Sequence, residues 1–181
     1  GNDTLKSSNT IYATTAASTI TVGAGDDSMS GGWEKDTYVI NRGDGRDTIL
    51  DYGSTDQITF GTGIVQGDLQ FSRTGDDLVV KIIDPQNAAA TDQLIIKSWY
   101  SSVNYQIEQL VFADGGLLSA AQVNALGNVI FGTESADTLV GPGSGGTING
   151  LGGNDTIAGG ASGTNVLRGG DGDDTVTFGY L

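Results

Sequence analysis

The residues best placed to do chemistry in this sequence are aspartates set among glycines. The stretch GLGGNDTIA, residues 150–158, places three glycines and Asp155 within six residues, just before the apolar Ile157. Glycine tolerates positive φ, so such a turn can aim its carbonyl oxygens inward. Carboxylate and carbonyl oxygens together are the ligands that hard cations such as Ca²⁺ prefer. The local pattern therefore indicates cation binding rather than acid–base catalysis.

The same pattern recurs at a spacing of about nine residues in two parts of the chain. Each copy is a polar residue, then usually threonine, then a large apolar residue. The polar positions are Asp3, Asn9, Ser18, Asp27, Asp36, Asp47 and Asp56 in the first part, and Asn128, Asp137, Gly146, Asp155, Asn165 and Asp174 in the second. An amphipathic helix would show apolar residues at a period of 3.6, so we expect glycine-rich turns that alternate with three-residue strands.

Composition narrows the possible partners and functions. Of the 181 residues, 22 are acidic and 8 are basic, giving a net charge of −14 that opposes binding to nucleic acid or to anionic membranes. Cysteine and histidine are absent, which excludes disulfides, thiolate nucleophiles, imidazole bases and the usual zinc sites. There is no GxSxG nucleophile and no GxxxxGK[ST] phosphate loop. We therefore expect a cation-binding protein that is not an enzyme.

Three stretches resemble the GGxGxDxUx repeat of RTX proteins, where U is a large apolar residue. They are GAGDDSMS (23–30), GLGGNDTIA (150–158) and GGDGDDTVT (169–177). The resemblance implies a right-handed parallel β-roll in which two nonapeptides form one coil and calcium lies between successive turns. It also implies type I secretion of a chain that folds on meeting extracellular calcium.

If two repeats make one coil, alternate repeats fall on opposite sides of the roll. In the second part, all three aspartates then share one side, so we expect calcium between Asp137 and Asp155 and between Asp155 and Asp174. In the first part, we expect calcium between Asp27 and Asp47 and between Asp36 and Asp56, which makes about four ions or more. The other turn residues predicted to contribute ligands are Gly23, Gly25, Gly32, Asp51, Gly53, Gly150, Gly152, Gly169 and Asp171. Two further turn acids, Glu34 and Asp44, could add charge or ligands, and solvated surface groups are the favoured interpretation of both.

Residues 60–127 lose the nonapeptide period and gain longer apolar runs. Alternation predicts strands at 68–73, 78–83, 93–99 and 107–112 in ordinary antiparallel structure, and Ser119 is expected to cap a short helix near 119–126. Residues 36–126 also resemble the haemolysin-type calcium-binding related block that often adjoins RTX repeats. We interpret this block as a cap or spacer that covers the open end of a roll.

The predicted fold is all-β, with two β-roll (β-solenoid) segments at 1–60 and 128–181. An antiparallel β block with one short helix, at 61–127, separates them. Trp99, Tyr100 and Tyr105 cluster in the sequence, and core packing is favoured for them over a carbohydrate platform. No N-terminal signal peptide or membrane-spanning run occurs, so either export uses another route or the sequence is a trimmed piece. Because the sequence ends just after a repeat, we expect an excised fragment whose secretion signal lies beyond it.

Two functions fit these observations. The first is a calcium-binding structural module of a secreted, extracellular RTX protein. The second is a surface-binding module of an adhesin or S-layer protein, in which the outward threonines of the repeats bind a glycan, ice or a neighbouring subunit. A solvated row of strand residues is the simpler explanation of those threonines.

Overall fold

The computed structural model describes residues 2–4, 10–12, 16–21, 23–53, 55–143 and 145–178. Of residues 2–4 and 10–12 it describes only the backbone. The chain forms two compact units, Gly1–Ala125 and Leu126–Leu181. Strands dominate both units, and the described part contains a single α-helix.

The first unit has twelve described strands. They are β1 (Asn2–Thr4), β2 (Thr10–Tyr12), β3 (Thr19–Thr21), β4 (Ser28–Ser30), β5 (Thr37–Ile40), β6 (Arg46–Leu50), β7 (Gln57–Phe60), β8 (Leu69–Thr74), β9 (Asp77–Ile82), β10 (Gln93–Ile96), β11 (Gln109–Val111) and β12 (Leu117–Ser119). Their order is β1-β3-β5-β7-β11-β12 in one sheet and β2-β4-β6-β10-β9-β8 in the other. From β1 to β7, successive strands therefore alternate between the two sheets, as expected of coils that contain two short strands each.

The apolar residue of each repeat points into the core between the sheets. In one sheet Ile20, Tyr38 and Ile58 are in register on neighbouring parallel strands, and all three have no solvent exposure. The residues on either side of them are half-buried, so the burial pattern alternates along each strand. One large apolar residue per repeat is thus enough to build a continuous column.

The N-terminal strand differs from the repeat alignment. β1 pairs with β3 so that Thr4 lies opposite Thr21, whereas the spacing of the triplets would place Thr4 opposite Thr19. The irregular step of six residues between the first two triplets left that register undetermined.

Residues 61–125 extend the first roll. The hairpin β8–β9 and the pair β9–β10 are antiparallel as predicted. Two strands differ from the prediction of ordinary antiparallel structure, because β10 pairs in parallel with β6 and β11 pairs in parallel with β7. Apolar alternation is the same for both strand directions, so the sequence did not distinguish them. The boundary predicted at residue 60 accordingly does not separate two compact units in the structure.

The helix α1 (Ala120–Gly127) follows β12 directly and is one residue offset from the prediction. Ser119 caps it, since its hydroxyl accepts from the backbone N–H of Gln122 while the Gln122 side chain accepts from the N–H of Ser119. This reciprocal arrangement is a capping box. No helix in the described ranges is long and apolar enough to span a membrane.

The second unit repeats the roll on a smaller scale. Its strands are β13 (Val129–Phe131), β14 (Thr138–Val140), β15 (Gly146–Gly152), β16 (Thr156–Ala158), β17 (Asn165–Asp171) and β18 (Thr175–Thr177). They form two parallel sheets, β13-β15-β17 and β14-β16-β18. Only Ile148 and Ile157 are fully buried apolar residues among those described in this unit. The prediction of a second parallel roll is confirmed, and its apolar core is small.

Candidate metal centre

The repeat aspartates form a ladder along one edge of the first unit. The carboxylate Oδ1 of Asp36 accepts a hydrogen bond of 2.9 Å from the backbone N–H of Ser18, one coil earlier. Asp56 Oδ1 accepts in the same way from the N–H of Asp36, also at 2.9 Å. Each aspartate therefore fixes the turn before it, and both carboxylates are buried.

The other predicted pairs show the same geometry. On the opposite edge of the first unit, the N–H of Asp27 donates to Asp47 Oδ1 at 3.0 Å. In the second unit, the N–H of Asp137 donates to Asp155 Oδ1 at 2.9 Å, and the N–H of Asp155 donates to Asp174 Oδ1 at 3.0 Å. The structure thus places every predicted aspartate pair one coil apart on a shared edge.

Two of these buried carboxylates have one oxygen that accepts no hydrogen bond. Asp56 Oδ2 and Asp155 Oδ2 have no hydrogen-bond partner among the described residues, although each residue is only 1% exposed. Burying an ionised oxygen without a partner is costly, and buried charges are normally paired or coordinate a metal. These oxygens are the observation that the ladder by itself leaves unexplained.

Three buried carboxylates converge at the last coil of the first roll. Asp36, Asp51 and Asp56 each place a carboxylate oxygen so that the three atoms lie within 4.8 Å of one another. Asp51 also accepts from the Tyr38 hydroxyl at 2.8 Å and from the N–H of Tyr52 at 2.7 Å. This is the only such group of three found among the described residues. Three convergent carboxylates suit the oxygen-rich coordination of Ca²⁺.

The electrostatics of this group favour a bound cation. Burial raises the pKa of Asp51 to about 6 and the pKa of Asp56 to about 7, and the neighbouring carboxylates add to both shifts. Burial likewise raises the pKa of Tyr38 well above its usual range, with Asp51 contributing next. A cation would reverse the mutual repulsion of the carboxylates.

The turn glycines lie where a side chain would block the carboxylates. A Cβ on Gly150 would lie 2.1 Å from Asp155 Oδ2 and 2.2 Å from the carbonyl oxygen of Gly169. These two oxygens, from adjacent turns, therefore approach the same point. A Cβ on Gly31 would similarly lie 2.2 Å from Asp51 Oδ1. In the second roll Gly132, Gly150 and Gly169 each lie five residues before an aspartate, and a Cβ on any of them would lie within 3 Å of that aspartate's carboxylate.

The remaining predicted turn glycines hold the stacked backbones together. Gly25 and Gly53 have positive φ and donate backbone hydrogen bonds to Asp44 and Asn104. The N–H of Gly32 donates to Asp36 Oδ2, and that of Gly152 donates to the carbonyl of Thr133.

Two further predicted residues contribute less to this geometry. Gly23 is half-buried in its turn. Asp171 is exposed and pairs through its backbone with Gly152, so its carboxylate is not brought into the group of three.

The two turn acids expected to be solvated behave differently. Glu34 is exposed as expected. Asp44 is only 7% exposed, so the prediction that it is a solvated surface group was wrong. Its Oδ2 accepts from the backbone N–H and the side-chain amide of Asn41, and burial raises its pKa. Packing of residues 61–125 onto the roll covers this turn, and Asp92 from that segment accepts from the N–H of Gly43.

Two acids of this region were missed in the sequence. Asp92 and Glu108 lie in the block without nonapeptide spacing, where the repeat search had no register to follow. Glu108 does carry a signal, because Glu108-Gln109-Leu110 matches Asp56-Gln57-Ile58 residue type by residue type.

The other side of the second roll is built without acids. Its turns, 141–146 and 159–165, contain no aspartate or glutamate. Asn165 bridges its own turn, accepting from the N–H of Gly160 and donating to the carbonyl of the same residue. On this side, neutral side-chain amides therefore form the hydrogen bonds that hold the turn backbone. This geometry supports calcium on one side only, which stays a prediction.

A cluster of rings, here named the aromatic surface, consists of exposed Trp33 and half-buried Tyr52 and Tyr105. Trp33 is 70% exposed and meets Tyr52 edge-on at 4.3 Å, and Tyr52 meets Tyr105 at 5.2 Å. The favoured core role of Trp99 is confirmed, since it has no exposure and donates to Asn124 Oδ1.

Comparison with known proteins agrees with this architecture. Residues 6–38 and 143–176 match the RTX calcium-binding nonapeptide repeat, and residues 77–122 match the haemolysin-type calcium binding protein related domain. The chain is also similar to the iron-regulated protein FrpA of Neisseria meningitidis serogroup C, with 34% identity over 116 residues. That alignment covers 60% of this chain and 10% of the relative, so the chain spans about a tenth of that protein.

The fold, the aspartate ladder and these matches define a calcium-binding β-roll protein. The chain carries RTX nonapeptide repeats on either side of a haemolysin-type calcium binding protein related domain.

Proposed function

We propose that this chain is a calcium-dependent structural module of a secreted protein, which folds on meeting extracellular calcium after type I secretion. The observation that supports it most is the pair of buried, unpartnered oxygens, Asp56 Oδ2 and Asp155 Oδ2. A net charge of −14 adds self-repulsion that calcium would offset. Without the ions these carboxylates oppose folding, and with the ions they stabilise it.

About four ions follow from the aspartate pairs. One lies between each of the predicted pairs, and in the first roll the group formed by Asp36, Asp51 and Asp56 provides the most complete set of carboxylates. A site filled to tenfold its dissociation constant adds roughly 1.4 kcal/mol by mass action. Four such sites would supply several kcal/mol, which is comparable to the whole stability of a small domain.

The test is a calcium titration followed by circular dichroism, with reversal by chelator, and calcium counting at saturation. Asp155→Asn keeps the size of the side chain but removes its charge, and we expect it to weaken both sites that Asp155 adjoins. The matched control is Asp173→Asn, which removes the same charge from an exposed side chain in the neighbouring turn.

We expect the Asp173→Asn chain to bind as many ions as the wild type and the Asp155→Asn chain to bind fewer. A fully formed calcium-free protein with unchanged stability would refute the proposal. Equal loss of calcium in both variants would refute the assignment of Asp155.

A second function, binding to a surface, is favoured by one feature of the second roll. Thr138, Thr156 and Thr175 are in register on three neighbouring parallel strands and are all exposed. Such a row presents regularly spaced hydroxyl and methyl groups, about 4.8 Å apart, to a glycan, to ice or to a neighbouring subunit.

This second function is tested by glycan-array binding, ice shaping and self-association of the calcium-loaded chain. Thr156→Lys should abolish any such binding while the calcium count stays unchanged. If the calcium-loaded wild type shows none of these activities, the second function is excluded.

A further inference from the structure

The aspartate ladder of the first roll does not end with the repeats. The N–H of Ser18 donates to Asp36, the N–H of Asp36 donates to Asp56, and the N–H of Asp56 donates to Glu108 Oε2 at 2.7 Å. Glu108 lies outside the nonapeptide repeats and inside the haemolysin-type related domain. A residue from a different sequence family thus occupies the next position of the repeat ladder.

The backbone around Glu108 follows the course of a repeat turn. Gln109 pairs with Gln57 in parallel register, as Gln57 pairs with Thr37 one coil earlier. The N–H of Gln109 donates to the carbonyl of Asp56, as the N–H of Gln57 donates to that of Asp36. The segment therefore stacks on turn 51–56 as a further coil would.

Glu108 adds negative charge where the structure already concentrates it. Its carboxylate contacts the backbone N–H of Asp56, whose side chain belongs to the group formed with Asp36 and Asp51. Asp56 Oδ2, which lies in a residue 1% exposed, has no hydrogen-bond partner in the described structure. The backbone of Asp56 is fixed by Glu108, while its carboxylate belongs to the convergent group with Asp36 and Asp51.

We propose that Glu108 is the terminal position of the carboxylate ladder and couples cation binding by Asp36, Asp51 and Asp56 to docking of the related domain on the roll. Glu108 acts as a positioning residue, because its carboxylate holds the N–H of Asp56 and its charge strengthens the attraction for a cation. By linkage, the ion strengthens docking of the related domain as much as docking strengthens binding of the ion. This inference rests on the proposed calcium binding of the first roll.

Terbium provides a readout that favours the first unit, which contains this site. Tb³⁺ takes oxygen ligands as Ca²⁺ does and luminesces when excited through a nearby aromatic ring. The Tyr38 hydroxyl contacts Asp51, and Tyr52 of the aromatic surface is the next residue in the chain. Residues 126–181 contain one tyrosine, Tyr180, and no tryptophan, whereas residues 1–125 contain five tyrosines and both tryptophans, so sensitised emission reports mainly on the first unit.

The experiment titrates Tb³⁺ into the full calcium-free chain as wild type, Glu108→Gln, Glu108→Ala and Asp114→Asn. Glu108→Gln keeps an oxygen that can accept from Asp56 but removes the charge, whereas Glu108→Ala removes both. Asp114→Asn is the matched control, since it removes one charge from an exposed turn of the same domain. We expect about a tenfold loss of affinity for Glu108→Gln, a larger loss for Glu108→Ala and no change for Asp114→Asn.

The reverse coupling is measured on the related domain itself. Trp99 is buried there, so its emission reports unfolding of that domain. In the presence of calcium, Asp51→Asn should lower the urea concentration at the midpoint of the Trp99 transition. In the presence of chelator, the same substitution should not lower it. Asp155→Asn, in the second unit, should not alter this transition.

Three results would overturn the inference while leaving the proposed function intact. The first is a Glu108→Gln chain with wild-type terbium affinity, and the second is a Glu108→Gln chain that stays unfolded even at saturating calcium. The third is a Trp99 transition that Asp51→Asn does not change in calcium. A wild-type chain that binds neither calcium nor terbium would instead refute the proposed function.

Discussion

At the scale of single residues, the site depends on oxygens that face each other across stacked turns. Asp155 illustrates this, since one carboxylate oxygen fixes the preceding turn while the other is buried without a partner. Its neighbour Gly150 is required because no side chain fits between that oxygen and the carbonyl of Gly169. Charge and space are therefore specified by two residues five positions apart.

We expect Gly150→Ala to destabilise the calcium-loaded chain by about 1–3 kcal/mol, because the added Cβ would push apart the Asp155 carboxylate and the next turn. Calcium affinity should fall with it. Gly143→Ala is the control, since a Cβ there would meet nothing within 4 Å. Urea unfolding in excess calcium measures the change, and equal stability of the two variants would contradict this explanation.

Because these pKa values are raised, we expect stability to change with pH in opposite directions with and without calcium. In the calcium-free chain, burial raises the pKa of Asp47 and Asp56 to about 7 and of Asp51 to about 6. The folded state then binds more protons than the unfolded state between about pH 4 and 7, so acidification through that window should stabilise it. With calcium bound, protons compete with the ion, so the same acidification should destabilise the chain.

Thermal midpoints at pH 5 and pH 7.5, for calcium-stripped and calcium-saturated protein, test this reversal. A midpoint that moves in the same direction in both samples would show that these carboxylates do not hold the ions.

At the scale of elements, each strand contributes one inward residue to a column. Ile58 lies between Tyr38 and Leu110 on neighbouring strands and has no exposure. Val176 holds the corresponding position in the last strand of the second unit, where it is 39% exposed. The contribution of this repeat position to stability therefore depends on whether another strand covers it.

Ile58→Ala should cost about 2–5 kcal/mol of unfolding free energy, because it opens a cavity in a closed column. Val176→Ala should cost much less, since its side chain already reaches solvent. Denaturant unfolding in saturating calcium compares them. Similar losses would mean that β18 is covered to the same extent as β7.

At the scale of the whole molecule, the two compact units differ in how much apolar core supports them. The core of the first unit includes Trp99, Phe60 and Leu94, whereas the second unit fully buries Ile148 and Ile157 alone among its described apolar residues. A unit with little apolar burial must draw more of its stability from bound ions.

We therefore expect the second unit to lose structure at a higher free calcium concentration than the first. Hydrogen exchange at the amides of Ile148 and Ile157, compared with those of Val80 and Leu94, would resolve the two transitions as calcium is lowered. Simultaneous loss of protection in both units would show that the apolar core of the first unit gives it no independence from calcium.

The sequence determined the features that follow from local chemistry. Glycine spacing and the polar-threonine-apolar triplet predict turns, short strands and which residue points inward, because each depends on a few neighbours only. The order of the repeats also assigned Asp27 with Asp47 and Asp155 with Asp174 to shared edges, since alternate repeats fall on opposite sides of a roll with two repeats per coil.

Only the tertiary structure decided how residues 61–125 join the first roll. Alternation in β10 and β11 is compatible with parallel and antiparallel neighbours, so strand direction depended on the columns already presented by β6 and β7. That docking buries Asp44 and brings Glu108 to Asp56, 52 residues away in the chain. Contacts over such distances carry no local sequence period, because they arise from the packing of surfaces that form only when the chain has folded.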